Sequence, residues 1–205
     1  MVANLVIAFL AYEVCRLAFI AENWHTFADN LTTKVFFDIH SGAWRFDLSA
    51  VLYTNALYIL MMAVPLLQKE TTTWQCTAKW IWLVCNGLCM IANLADCVYF
   101  AYTGRRTTGT VFKEFSNEGN LTDIFGVELL RHWYLVVLFL AWIWLMWRMY
   151  QQPKRQYKPK RKTTYFLSNT LALVVTVPLC IGGIRVGCTT AVRPITISNA
   201  NQYVD

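Results

Sequence analysis

Arginine and aspartate side chains lie at the edges of the apolar segments of this chain, and they are its best candidates for chemistry. Arg45 and Asp47 precede one apolar run, and Arg105 and Arg106 follow another. Planar guanidinium groups bind phosphate through paired hydrogen bonds. We therefore predict that these arginines contact the phosphate of a phospholipid headgroup. The predicted headgroup ligands are Arg45, Arg105, Arg106 and Arg185.

Two aspartates near the same edges, Asp47 and Asp96, are predicted to orient the arginines rather than to act as acids or bases. A simpler interpretation is that these aspartates pair with the arginines, Arg131 included, and hold the helices together. Anionic lipids would then touch the remaining arginines without specificity. Charges at membrane depth are costly and are functional by default, so both interpretations stay open.

Catalytic and metal-binding residues are not expected. The three histidines are scattered along the sequence, and the seven cysteines include no CxxC pair. Cys85 and Cys89 lie one helical turn apart, which suits small side chains between packed helices. We predict no catalytic residue, no metal site and no nucleic-acid partner.

The segments that must position these side chains are apolar blocks. Hydrophobic residues make up 57% of the 205 residues and charged residues only 15%, whereas soluble domains have about 45–50% and about 25%. A helix crosses the hydrocarbon with roughly 20 mainly apolar residues. The predicted fold is an all-α integral membrane protein with about five spans, at roughly residues 2–20, 48–67, 80–102, 133–149 and 165–186.

The first block contains two charged residues, Glu13 and Arg16, one turn apart on the same helix face. Pairing between them would lower the cost of placing them in the membrane. The block has no basic start before its apolar run and no convincing cleavage site. We therefore expect a retained helix and not a signal peptide.

The orientation follows from the segment 148–162, which holds seven Lys or Arg and no acid. Basic residues in short loops stay in the cytoplasm, so the N-terminus is predicted inside and the C-terminus outside. Residues 1–190 then form the membrane domain, and residues 191–205 an outer linker. Apolar positions within 103–132 suggest a helix along the outer surface, with a solvent-exposed loop as the alternative.

Three stretches also carry a family resemblance: RFDLSAVLYTN with the following AVP, NLADCVYFAYTGRRTTGTVFKEFSN, and PLCIGGIRVGCTTAVRPITISNANQYV. In this order they resemble the N-terminal membrane domain of the lipoteichoic acid synthase-like proteins. That family belongs to the sulfatase and phosphoglycerol or phosphoethanolamine transferase group of the alkaline phosphatase superfamily. The resemblance covers nearly the whole chain and implies a bacterial cytoplasmic membrane.

The resemblance implies a large catalytic domain outside the cell, following the RPIT-like segment. Such a domain resembles sulfatases, binds a divalent metal (often manganese) and uses a threonine nucleophile. It transfers a phosphoglycerol or phosphoethanolamine group from a membrane lipid through a covalent phospho-threonine. The sequence reaches Asp205 where that domain should begin. We therefore expect this chain to anchor the domain and present lipid to it, without performing the transfer itself.

A second hypothesis is a self-sufficient small transporter or channel. Polar residues within the predicted spans could line a path, namely Glu13, Arg16, Asn55, Asn86, Asn93, Asp96 and Asn169. Transporters commonly contain internal repeats with matching broken helices. The sequence shows no such repeat, and its charges favour one rim over a continuous route, so the anchor hypothesis is preferred.

Overall fold

The computed structural model describes residues 1–28, 32–104, 106, 121–152 and 162–185, and within those ranges it is helical with no strand. The helices are α1 Val2–Glu22, α2 Trp24–Phe27, α3 Thr33–Thr54, α4 Ala56–Ala63, a 3-10 helix Leu67–Glu70, α5 Thr72–Thr103, α6 Leu121–Arg131, α7 Trp133–Met149 and α8 Lys162–Arg185. The predicted all-α class is confirmed for this part of the chain.

Three of the helices, α1, α5 and α8, are long and apolar enough to cross a membrane. Helices α3 and α4 qualify together, but the chain bends by 61° between them. Within the residues that the structure describes, this gives three candidate spans, or four if the bent pair counts as one. Helix α7 is apolar but shorter, with 17 residues. The count of five and the orientation stay predictions.

The second predicted span differs most from the structure. Helix α3 begins at Thr33, well before residue 48, because the Thr32 side chain caps it by accepting a hydrogen bond from the Val35 N–H at 3.4 Å. Helix α4 ends at Ala63, so Pro65 lies beyond the helix. The other four predicted spans lie within α1, α5 and α7 or overlap α8.

The core lies where α1 meets α5. Small residues on one face of α1, including Ala8, Ala11 and Cys15, are buried and allow the helices to approach closely. Trp82 and Met90 of α5 are buried in the same cluster.

The bend between α3 and α4 is held by two amide side chains. Asn55 Nδ2 donates to Asn86 Oδ1 at 3.1 Å, and Asn86 Nδ2 donates back to Asn55 Oδ1 at 2.8 Å. Each amide nitrogen also donates to a backbone carbonyl four residues earlier. This pair joins the bend to α5 and satisfies both buried side chains.

Hydrogen bonds connect the first turns of α8 to the 3-10 helix. Lys69 Nζ donates to Asn169 Oδ1 at 2.5 Å, and the Tyr165 hydroxyl donates to Glu70 Oε1 at 3.1 Å. Burial lowers the pKa of Lys69, although the nearby Glu70 carboxylate opposes that effect.

Near its last turn, α8 approaches α3 closely. The Ser49 hydroxyl donates to the Ile184 carbonyl at 2.8 Å. A Cβ added at Gly183 would lie 2.4 Å from Leu52 Cδ1, whereas one added at Gly182 meets no described atom within 4 Å. Only a glycine therefore fits at position 183 without moving Leu52.

Relative to Gly182→Ala, we expect Gly183→Ala to lower the free energy of unfolding by about 1 kcal/mol, the low end of the usual cost of overpacking, because Leu52 Cδ1 is the far end of a flexible side chain. Gly182→Ala is the matched control and should be neutral or slightly stabilising, because alanine is the better helix former. Thermal unfolding of the purified protein in detergent would measure both. Equal shifts for the two variants would contradict the proposed close approach, and Leu52→Ala should rescue Gly183→Ala.

Candidate functional site

A partly buried cluster of charges joins α1 to α3. Arg16 Nη1 donates to Glu13 Oε1 at 2.6 Å, and Arg16 Nη2 donates to Asp47. The Arg16 side chain is only 14% exposed. His40 Nε2 lies 3.9 Å from Glu13 Oε2, while His40 Nδ1 lies 3.0 Å from the Phe36 carbonyl. The arginine is thus held between two carboxylates.

A second ion pair joins Asp96 of α5 to Arg106, which lies just beyond the end of that helix. Arg106 Nε donates to Asp96 Oδ2 at 2.6 Å, and the Arg106 guanidinium lies 5.1 Å from the centre of the Phe19 ring. The Asp96 side chain is 8% exposed, but that of Arg106 is 63% exposed. The buried aspartate and the aromatic ring fix a guanidinium that still reaches the surface.

The two arginines line one cavity of about 70 Å³. Its walls are Tyr12, Cys15, Arg16 and Phe19 of α1, Asp47 of α3, Asn93 of α5, and Arg106. The Tyr12 hydroxyl lies 3.1 Å from Thr54 Oγ1, and Asn93 Nδ2 donates to the Cys89 carbonyl at 2.9 Å. Two cations, one carboxylate and several neutral polar groups therefore converge on a small space.

The structure brings some of the predicted site residues together and leaves others apart. Arg106, Asp96 and Asp47 belong to the two ion pairs, and Asp96 contacts one of the arginines that it is predicted to orient. Asp47 binds Arg16, which is not among the predicted headgroup ligands. Arg45 and Arg185 are both exposed and are not among the residues lining the cavity. Arg105 lies outside the described residues.

Sequence reasoning missed five members of the cavity wall, namely Tyr12, Cys15, Arg16, Phe19 and Asn93. It paired Arg16 with Glu13, and that pair is present, but it did not place Arg16 beside Asp47. Tyr12 and Asn93 were not assigned to the headgroup site either. A signal was available in α1, because Tyr12, Arg16 and Phe19 are spaced by four and three residues and lie on one helix face.

A neighbouring set of polar contacts joins the end of α1 to α7 and to the residue before it, and joins α5 to α6. Tyr134 OH donates to Glu22 Oε2 at 2.5 Å, and His132 Nε2 lies 3.3 Å from Glu22 Oε1. Arg131 donates to the Tyr102 hydroxyl at 3.4 Å. Helix α6 occupies part of the segment predicted to hold a surface helix, and Val127, Leu129 and Leu130 are among its exposed side chains.

Metal-ligating side chains do not gather in the part of the chain that the structure describes, where no group of three or more His, Cys, Asp or Glu could hold an ion.

The polar residues considered for a transport path fall into separate groups. Asn55 and Asn86 satisfy each other at the bend, and Asn169 binds Lys69. None of these three lines the cavity near Arg16.

No protein-family model, no curated protein and no solved structure matches the chain.

Proposed function

We propose that this chain is the membrane domain of a lipoteichoic acid synthase-like transferase, and that it presents a phospholipid at the outer face of a bacterial cytoplasmic membrane. The observation that carries the proposal is Arg106, a surface-reaching guanidinium fixed by buried Asp96 beside an open polar cavity. A preoriented guanidinium at a membrane surface is suited to a lipid phosphate. The assignment to this family is supported by the resemblance of the three sequence stretches.

The proposed arrangement has five membrane crossings, made by α1, the bent pair α3 and α4, α5, α7 and α8. The basic segment 148–162 supports an inner position for the connection between α7 and α8. Alternation then places the N-terminus inside and the C-terminus outside. In this orientation, the ends of α1 and α5 and the start of α7 lie at the outer face, together with Arg106.

The proposed partner is a sulfatase-like catalytic domain at the same face, with its own threonine nucleophile and divalent metal, manganese being the expected ion. The membrane domain would contribute proximity, because enzyme and lipid confined to one surface need no encounter from bulk solution. Arg106 would hold the phosphate, and Asp96 would keep the guanidinium in place.

The test measures lipid binding by the purified chain, with native mass spectrometry as the readout. We expect phosphatidylglycerol or phosphatidylethanolamine to be retained in preference to diacylglycerol with the same acyl chains. Arg106→Gln should weaken phospholipid retention about tenfold, since a hydrogen bond to a charged group contributes about 1.5–3 kcal/mol.

Arg148→Gln is the matched control, because it removes the same charge from the last turn of α7, at the opposite face in the proposed arrangement. Its phospholipid retention should stay within about twofold of the wild type, a change of under 0.5 kcal/mol. Retention of diacylglycerol equal to that of phospholipid would refute the proposal. Solute flux through vesicles containing the chain would instead favour the transporter.

A further inference from the structure

Arg16 lies at a position where a charged side chain is energetically costly. It is in the second half of α1, one of the helices that could cross a membrane, and its side chain is 14% exposed. Charged residues at such positions mark functional sites by default. The ion pairs with Glu13 and Asp47 explain how the charge is tolerated there, but they do not explain why an arginine is used.

The guanidinium of Arg16 has more hydrogen-bond donors than those two ion pairs use. It carries five N–H groups, and in the described part of the chain Glu13 and Asp47 accept from one nitrogen each. Arg106 likewise meets Asp96 through Nε. Both arginines line the same cavity.

The cavity has the size and lining for a small anion. At about 70 Å³ it exceeds the space of one water molecule but is too small for an acyl chain. The groups on its wall carry two positive charges, from Arg16 and Arg106, against one negative charge from Asp47. Glu13 and Asp96 contact the arginines from outside the lining, so the whole cluster carries three carboxylates and two guanidiniums. An anion in the cavity would be bound by the N–H groups that the carboxylates leave over.

We propose that this cavity is a phosphate subsite and that Arg16 is its inner ligand, with Arg106 at its mouth. The inference rests on the function proposed above and deepens it, because it assigns the phosphate to two arginines on one cavity. Arg45 and Arg185, which do not line the cavity, are then not ligands of the phosphate. The group bound is a phosphate ester of a lipid, with free phosphate as the other source of the same chemistry.

The first test is Arg16→Lys. Lysine keeps a positive charge between Glu13 and Asp47 but loses the planar fork, so the variant should fold and bind phosphate less well. We expect phosphatidylglycerol retention in native mass spectrometry to fall about tenfold. The matched variants Arg45→Lys and Arg185→Lys should stay within about twofold of the wild type.

The second test is Asp47→Asn, which separates a ligand from a purely structural ion pair. The substitution removes a negative charge from the cavity wall and releases an N–H of Arg16, so phospholipid retention should increase several-fold. A structural ion pair alone would predict lower stability with unchanged or weaker retention. That outcome would overturn the inference.

The two proposals fail in different ways. If the wild type does not prefer phospholipid to diacylglycerol, the proposed function is wrong. If that preference is present but Arg16→Lys retains phosphatidylglycerol as the wild type does, only the subsite is wrong. Inorganic phosphate added to lipid-free protein should bind more weakly than the lipid, and tighter binding of the free anion would overturn the assignment to a lipid.

Discussion

Replacing Arg16 by glutamine is expected to lower the free energy of unfolding by about 3–5 kcal/mol, the cost of removing one partner from a buried ion pair. Glu13 and Asp47 both bind this guanidinium, and neither side chain is well exposed. Without it, two carboxylates lie close together with no strong compensating charge. Thermal unfolding in detergent, or denaturation by increasing dodecyl sulfate, would measure the loss.

The control is the neutral triple variant Glu13→Gln, Arg16→Gln, Asp47→Asn. It removes the three charges together while keeping the size of the side chains. Replacing a whole buried ionic group is often close to neutral for stability, so the triple variant should recover most of the loss. A triple variant as unstable as Arg16→Gln would show that shape, and not charge, makes Arg16 necessary.

Asn4→Ala is expected to be almost as damaging, with a loss of about 2–4 kcal/mol from unsatisfied buried groups. Asn4 is fully buried. Its Nδ2 donates to the Tyr58 hydroxyl at 2.8 Å and to the Gln151 carbonyl at 3.1 Å, and its Oδ1 accepts from the Gln151 N–H at 2.8 Å. One side chain thus joins α1, α4 and the chain that follows α7.

Gln151→Ala provides the comparison for Asn4. Asn4 binds only backbone atoms of Gln151, and the Gln151 side chain is exposed and donates to the Met149 carbonyl. Its truncation should change the free energy of unfolding by less than about 0.5 kcal/mol, as for an ordinary surface substitution. Similar losses for Asn4→Ala and Gln151→Ala would argue against the bonds described here.

Apolar blocks were sufficient to locate four of the helices. Helix α7 coincides with its predicted limits, and α1 and α5 extend past theirs by polar or interfacial residues at the ends. Hydropathy detects the part of a helix that tolerates hydrocarbon and not the part that projects beyond it. The early start of α3 was missed for this reason, because Lys34, Asp38 and His40 make its first turns polar.

The break at Asn55 could not be read from the sequence, because the residue lies between two apolar runs with no proline or glycine beside it. The bend depends on Asn86, a partner 31 positions away. The same limit applies to the candidate site. The i,i+3 pair of Glu13 and Arg16 is local and was predicted, whereas contact between Arg16 and Asp47 depends on how α1 and α3 pack.

The unequal lengths of the helices have a consequence for the surrounding bilayer. At 1.5 Å per residue, the 17 residues of α7 extend about 25 Å and the 32 residues of α5 about 48 Å, against a hydrocarbon thickness of about 30 Å. In the proposed arrangement, lipids next to α7 would therefore experience hydrophobic mismatch and form a thinner annulus. The thinning would be greatest beside α7, which packs against both α1 and α5. The protein would accordingly favour short-chain lipids and the thinner regions of its membrane.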